Sequence, residues 1–302
     1  MSIYSVIFKA MGSRCEFRLA AADQTQAEAL AQMAVLEVHR IEAKYSRYRS
    51  DSVVSKIAAQ AGIGWVACDG ETMALLDLAD TFYQQSGGLF DVTSGVLRRA
   101  WNLSEPRLPS ASDLEMLRQL VNWPSVERDS SRIRLPRVGM ELDFGGFGKE
   151  YAADRAAGVL MGSGVLHGYV NLGGDIRVLG PQPDGRPWLM GIQDPRRMDR
   201  MVANIPMAGG ALATSGDYER FFQLGGQRYS HIVHPQSGYP VDYWRSISVL
   251  APSALTAGGI STIAMLKQGQ AQAFLESAGL HYFAVDADGR VIMNRHRPLD
   301  TG

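Results

Sequence analysis

The sequence predicts an α+β fold of mixed, largely antiparallel sheets with packed helices. Two observations carry this. Strand-like and helix-like runs are mixed without a strict strand-helix-strand rhythm, which disfavours the regular parallel-sheet folds. Short glycine-bearing turns, Met11-Gly12-Ser13 and Gly173-Gly174, separate neighbouring strand-like runs, the signature of hairpins. The 302 residues, 46% hydrophobic, suffice for a substantial core. There is no internal repeat, low-complexity tract or long linker. The expectation is therefore one domain spanning 1–302, with the Pro/Ser-rich stretch 102–113 the sole candidate boundary.

Residues 3–20 read as two strands around the Met11 turn. From Thr25 to Lys44 apolar residues recur at helical spacing through Ala29, Met33, Leu36 and Ile41, predicting a long amphipathic helix. A polar loop, Tyr45 to Ser52, follows. Asp69 to Gln85 reads as a second helix, stopped by Gly87-Gly88. Ser112 is placed to cap a short helix ending near Val121, and Val126 to Leu142 alternates as strands. Further strands are expected at Tyr169 to Leu179 (broken by the glycine pair), Trp188 to Ile192, Ala211 to Asp217, Tyr229 to Val233, Ile247 to Leu250, Tyr282 to Val285 and Val291 to Met293. Asp194-Pro195 reads as a turn. Helices are expected at 150–161, Ala257 to Leu266 and Gln270 to Leu280.

The net charge of −1 argues against a nucleic-acid surface. Cys15 and Cys68 are far apart and in no metal spacing, which suits small apolar positions in a reducing compartment. No run reaches a membrane-spanning length, and Met1 to Met11 lacks a signal-peptide pattern. The expected location is therefore cytoplasmic.

The chemistry concentrates in Glu141-Leu-Asp-Phe-Gly-Gly-Phe-Gly-Lys-Glu-Tyr-Ala-Ala-Asp154. A strand, a glycine turn, Lys149 and a helix start together make a phosphate cradle. Glycines admit a ligand close to the backbone, and free amides, helix dipole and ammonium favour an anion. The spacing matches neither G-x-x-x-x-G-K-S/T nor G-x-G-x-x-G, and a tight turn without a ligand explains it equally.

Other motifs flank it in order: Met11-Gly12-Ser13, Tyr45-Ser46-Arg47-Tyr48, Gly88-Leu89-Phe90-Asp91-Val92-Thr93, Asn171-Leu-Gly-Gly-Asp175, Thr214-Ser-Gly-Asp-Tyr218, His231-Ile-Val-His-Pro-Gln-Ser-Gly238 and Ser261-Thr262. This series, from about residue 8 to about residue 268, resembles the ApbE family, the FAD:protein FMN transferases. The resemblance implies an ApbE-like, T-fold-related architecture. It also implies an enzyme that takes FAD, uses Mg²⁺ on its pyrophosphate and transfers the FMN half to a Thr or Ser hydroxyl of an acceptor flavoprotein, releasing AMP. By position, Met11, Tyr48, Leu89, Phe90, Asp91, Asp143, Lys149 and Ile232 match its FAD contacts. Lys149 would steady the pyrophosphate, and His231 matches the motif histidine, a natural general base for a hydroxyl. His231 and His234 are expected on opposite sides of a strand, not as a metal pair. The Ser215-Gly216-Asp217 turn either lines the acceptor side or is an ordinary turn.

One departure stands out. The family's metal stretch runs Ala-Asp-x-x-(Ser, Asp or Ala)-Thr, whereas here it is Ala257-Gly258-Gly259-Ile260-Ser261-Thr262. Mg²⁺ takes hard oxygen ligands, usually with one or two carboxylates. The remaining candidates are Ser261, Thr262 and main-chain carbonyls at Gly146, Gly148 and Gly258. Glu150, where the family usually has glycine, either carries a carboxylate to the opposite wall of the pocket or merely complements the helix dipole. Two alternatives to the transferase stay open at this point: a flavin carrier or sensor with impaired transfer, and an FAD pyrophosphatase using water.

Overall fold

A computed structural model describes residues 1–102, 105–197 and 199–294. The N-terminal half contains β1 (Ser2–Ala10), β2 (Ser13–Ala21), α1 (Gln24–Tyr45), α2 (Val53–Ala59), β3 (Val66–Ala67) and α3 (Gly70–Ser86). A 3-10 helix over Val92–Arg99, α4 (Ala111–Arg118), β4 (Glu127–Arg128) and β5 (Arg132–Arg134) follow. Then come α5 (Gly148–Gly162), β6 (Gly168–Leu172), β7 (Asp175–Gly180), β8 (Trp188–Gln193), β9 (Met201–Met207) and β10 (Ala211–Gly216). The chain continues through β11 (Phe221–Leu224), β12 (Gln227–Ser230), β13 (Trp244–Ala251), α6 (Ala254–Lys267), α7 (Ala271–Ala278), β14 (His281–Asp286) and β15 (Val291–Met293).

Eight strands form one sheet in the order β1-β2-β6-β7-β10-β13-β14-β15, and every neighbouring pair is antiparallel. The expected α+β class and antiparallel pairing therefore hold. Side chains alternate between two faces. Val170, Leu172, Ala211 and Ala213 join the main core under α1, α5 and α6. Ile176, Val178 and Leu212 belong to a second core beneath the β8–β9 ribbon, with Trp188, Met190 and Ile205.

The long helix α1 forms where expected but buries a different face. Ala27, Ala31, Ala34, Val38 and Ile41 point inward, whereas Met33 and Leu36 are exposed. The reason lies in α5, which presents Ala152, Ala153, Ala156 and Ala157 to the core. Alanines let helix backbones approach closely, so the larger apolar residues of α1 are turned out.

Several local expectations are corrected. Ser52 caps α2, an unforeseen helix, by accepting from the Ser55 amide, and Ser110 rather than Ser112 caps α4. Between 126 and 142 only β4 and β5 are strands, and 141–144 is irregular because it leads through the Asp143 turn rather than along a sheet. The strand expected at Tyr229 to Val233 is β12, which ends at Ser230, so His231 and His234 lie beyond it rather than across a strand. Its hairpin partner β11, and β9, were not foreseen. Both cysteines are free, Cys15 buried and Cys68 half-buried. No helix among the described residues is long and apolar enough to cross a membrane.

Candidate functional site

The site is assembled where α5, α6, the first hairpin and the β10 end converge. In the β1–β2 turn both Met11 (φ 52°) and Gly12 (φ 70°) are left-handed, the geometry a two-residue hairpin requires. For methionine this conformation costs about 1–2 kcal/mol. The Met11 amide is held by donating to Glu42 Oε1 at 2.6 Å. A Cβ on Gly12 would lie 3.0 Å from Arg220 Nη2, so that guanidinium covers the turn.

Arg220 links the turn to the histidine and the tyrosine. The His231 amide donates to the Arg220 carbonyl at 3.0 Å, and His231 Nδ1 lies 3.3 Å from the same oxygen. Burial, reinforced by the charges of Arg220, Lys149 and Arg47, lowers the His231 pKa to about 4. The imidazole is therefore neutral at physiological pH. Tyr48 is 73% exposed and leaves a ring face open, while Arg47 stacks on it and donates to its hydroxyl at 2.6 Å. Partial burial would raise the Tyr48 phenol, but Arg47 and Arg220 bring it below its ordinary value. Arg47 also donates to Asp143 Oδ2 at 3.0 Å, and Arg98 pairs with the same carboxylate. Asp143 Oδ1 accepts from the Gly145 amide at 2.7 Å, closing the glycine turn.

Helix α5 starts from Phe147, which offers no side-chain cap; the Gly148 amide donates to the Phe144 carbonyl at 2.7 Å, and the positive end of the helix lies at the amides that follow it. Lys149, expected to steady a pyrophosphate, pairs with the buried Asp175 carboxylate at 3.0 Å. The Asp175 charge, against the cost of burial, holds the ammonium well above its ordinary value. Gly173 packs against Ser13, and a Cβ there would also come within 3.9 Å of Lys149 Nζ. The Gly173 turn thus joins the β6–β7 connection to the first hairpin.

Helices α5 and α6 run past each other in register. Ser253 caps α6 by accepting from the Thr256 amide at 3.1 Å, and Asp154 adds two further acceptors, for the Ala254 and Leu255 amides, both at 2.9 Å. One turn back on α5 and one turn on along α6, Glu150 meets Gly258. A Cβ there would lie 2.4 Å from Glu150 Oε1 and 2.5 Å from Cγ. One turn further, a Cβ on Gly146 would be 3.7 Å from Thr262 Cγ2 and 2.9 Å from Phe90 Cζ. Ser215 Oγ from β10 lies 2.8 Å from Ser261 Oγ and 3.0 Å from Thr262 Oγ1, and Ser261 donates to the Gly258 carbonyl at 3.0 Å. Glu150 is buried and its Oε2 has no hydrogen-bond partner. Burial, reinforced by the Asp175 charge and opposed by Lys149, pushes its carboxyl well above the ordinary value.

The predicted residues therefore fall into groups. Met11, Tyr48 and His231 gather around Arg220, with Asp143 bonded through Arg47. Lys149, Glu150, Gly146, Gly258, Ser261 and Thr262 gather at the α5–α6 contact. Gly148, the first residue of α5, lies between the glycine turn and Lys149. Leu89 and Ile232 are half-buried against the core, and Phe90 is buried against the glycine turn. Asp91 turns inward: Oδ1 accepts from the Thr93 amide and hydroxyl, at 2.8 and 2.5 Å, and Oδ2 from the Trp123 amide at 3.1 Å. Asp217 is buried under Arg196, Arg228 and Arg245, not open to an acceptor, whereas Ser215 two residues earlier reaches the site. The sequence reading assigns Arg47, Arg220, Asp154 and Asp175 no role as site builders, although Arg47, Asp154 and Asp175 stand inside the quoted motifs and Arg220 lies two residues beyond Tyr218. Among the described residues, no three His, Cys, Asp or Glu side chains form a metal cage.

Fold and site define an α+β protein that brings cations, a helix start and linked hydroxyls together at the α5–α6 contact. The chain belongs to the ApbE family, whose model matches residues 11–284. It is 30% identical over 285 residues to the FAD:protein FMN transferase of Treponema pallidum, covering 84% of this chain and 78% of that protein. It is 29% identical to the FAD:protein FMN transferase of Vibrio cholerae, over 74% of this chain and 69% of that one. The crystal structure of the ApbE protein from Thermotoga maritima superposes with a TM-score of 0.90 at 30% identity, covering 97% of each chain. The apo flavinyl transferase ApbE of Pseudomonas stutzeri gives 0.86 at 27% identity, over 97% of this chain and 95% of that one.

Proposed function

We propose that this chain is an FAD:protein FMN transferase that moves the FMN moiety of FAD to a Thr or Ser hydroxyl of an acceptor flavoprotein. The observation supporting the reading is geometric: His231 and the Met11-Gly12 turn meet at Arg220, and the Gly173 turn joins that hairpin to Lys149 at the start of α5. The acceptor hydroxyl oxygen attacks the FMN-side phosphorus, the bond to the AMP phosphate breaks and AMP leaves. His231 takes the hydroxyl proton. Lys149 and the α5 amides face the negative charge that spreads over the phosphoryl oxygens. Met11, Tyr48, Leu89, Phe90, Asp143 and Ile232 form the flavin and adenosine walls. Asp91 supports the wall at Phe90 through its bonds to Thr93 and Trp123.

Mg²⁺ fits this oxygen-rich pocket, where Thr262, Ser261, main-chain oxygens at Gly146, Gly148 and Gly258, and the unpartnered Glu150 oxygen would hold it. Bound there, it would neutralise pyrophosphate charge. The carrier reading rests on the missing carboxylate at Gly258, and the Glu150 carboxylate packed on that glycine argues against it.

Incubation with FAD, MgCl₂ and flavoprotein domains bearing Thr/Ser flavinylation motifs is expected to give an acceptor heavier by FMN, with AMP released. AMP and FMN appearing without acceptor would mark a pyrophosphatase. FAD retention without AMP would mark a carrier.

A further inference from the structure

The α5–α6 contact contains a paired exchange. Gly258 lies mid-helix, where glycine costs about 1 kcal/mol relative to alanine. Its neighbour Gly259 is explained by packing: a Cβ there would lie 2.2 Å from Phe82 Cζ. The corresponding occupant above Gly258 is an acid, the side chain of Glu150, which fills that space from Cγ to Oε1. An apolar side chain would fill the space without burying a polar group. Instead the position carries a carboxyl group only 6% exposed, with one oxygen unpartnered and with Asp175 and Lys149 near enough to act on it. Leaving such a group unmatched costs about 1–3 kcal/mol, more if it is charged. The arrangement is explained if the missing partner is a ligand.

The surroundings identify the ligand class. Around the contact stand the Gly258 carbonyl, the linked hydroxyls of Ser261, Ser215 and Thr262, and the glycine turn at Gly146. These are hard oxygen donors without thiol or imidazole, the set an alkaline-earth or Mn²⁺ ion prefers. We infer that Glu150 is the carboxylate ligand of the transferase's divalent cation, supplied from α5 into the space that Gly258 leaves open on α6. The ligand has changed helices while the charge of the pocket is kept. This rests on the transferase reading, and it adds that an aspartate introduced at 258 and Glu150 exclude each other.

The test is Mn²⁺ titration by electron paramagnetic resonance on the full chain with FAD bound. Wild type should bind one Mn²⁺ per chain. E150Q keeps the shape but loses the charge, and should weaken Mn²⁺ at least ~10-fold, the lower end of losses seen even for residues that merely support ligands. FAD affinity without metal, followed by flavin fluorescence, should stay within about threefold. The exchange variant E150G/G258D should recover Mn²⁺ binding, because the carboxylate returns from the other helix. Wild-type Mn²⁺ affinity in E150Q overturns the inference and leaves the transferase reading intact if FMN transfer persists. If E150Q does not fold, a folded E150G/G258D that fails to bind Mn²⁺ overturns it instead. A wild-type chain that binds neither FAD nor Mn²⁺ removes both.

Discussion

Replacing Gly258 by alanine tests the packing exchange without any ligand. In an unobstructed helix interior the change gains about 1 kcal/mol. Here the added methyl would lie 2.4, 2.5 and 2.7 Å from Glu150 Oε1, Cγ and Cδ. Because Cγ is among them, turning the carboxyl alone brings no relief, and Glu150 is too buried to swing into solvent. Overpacking of this kind costs about 1–3 kcal/mol. The net effect of G258A in wild type is then about 0–2 kcal/mol of destabilisation. In an E150G background the obstruction is gone, and the same substitution should stabilise by about 1 kcal/mol. The two sites should therefore couple by about 1–3 kcal/mol. Urea unfolding of wild type, G258A, E150G and the double variant closes the cycle. Coupling below about 0.5 kcal/mol, the level of independent sites, would refute direct packing of Glu150 on Gly258.

Four further outcomes are expected. H231A should lower transfer about 10²- to 10⁴-fold with FAD still bound, read by acceptor mass and fluorescence. Since the folded His231 pKa lies near 4 against an ordinary 6.5, the unfolded chain binds the extra proton between these values. This contribution makes stability fall as pH drops through that window, and H231A should flatten the slope. D154A removes two acceptors from the α6 start and should cost about 1–2 kcal/mol in urea unfolding. An effect indistinguishable from zero would deny the clamp. D217N leaves Arg196, Arg228 and Arg245 around a neutral amide and should cost about 3 kcal/mol, the lower end for broken buried pairs because the arginines are partly exposed. A thermal melt unchanged from wild type would contradict that.

The elements most legible in the sequence were those whose patterns are local. The helix over α1 follows from spacing, and the first hairpin from Met11-Gly12. The buried face of α1 was misread because Met33 and Leu36 outrank alanine in hydrophobicity, while close packing on the alanines of α5 selects Ala27, Ala31 and Ala34. Ordered motifs pointed to His231, Lys149 and the glycine turn. They could not show that Lys149 is matched by Asp175, or that Asp217 faces three arginines, because such pairings join distant segments. At Gly258 the sequence left both readings of Glu150 open, because which side chain faces that glycine is set by a helix interface and not by nearness in the chain.

That interface explains how a carboxylate can move without the pocket moving. Asp154 meets the α6 start at Ala254, Glu150 meets Gly258, and Gly146, in the turn before α5, meets Thr262, so the contact advances about one turn along α6 at every step. The Asp154 clamp sets this register from outside the cleft. The glycine turn and the Thr262 hydroxyl end it at the cleft wall. Between the two ends there is room for a single side chain, and either backbone can provide it. A cation responds to the position and charge of the oxygen, not to the helix that supplies it. On the inference drawn above, such a pocket keeps its charge whichever helix supplies the acid, and the acid packed at this contact is Glu150.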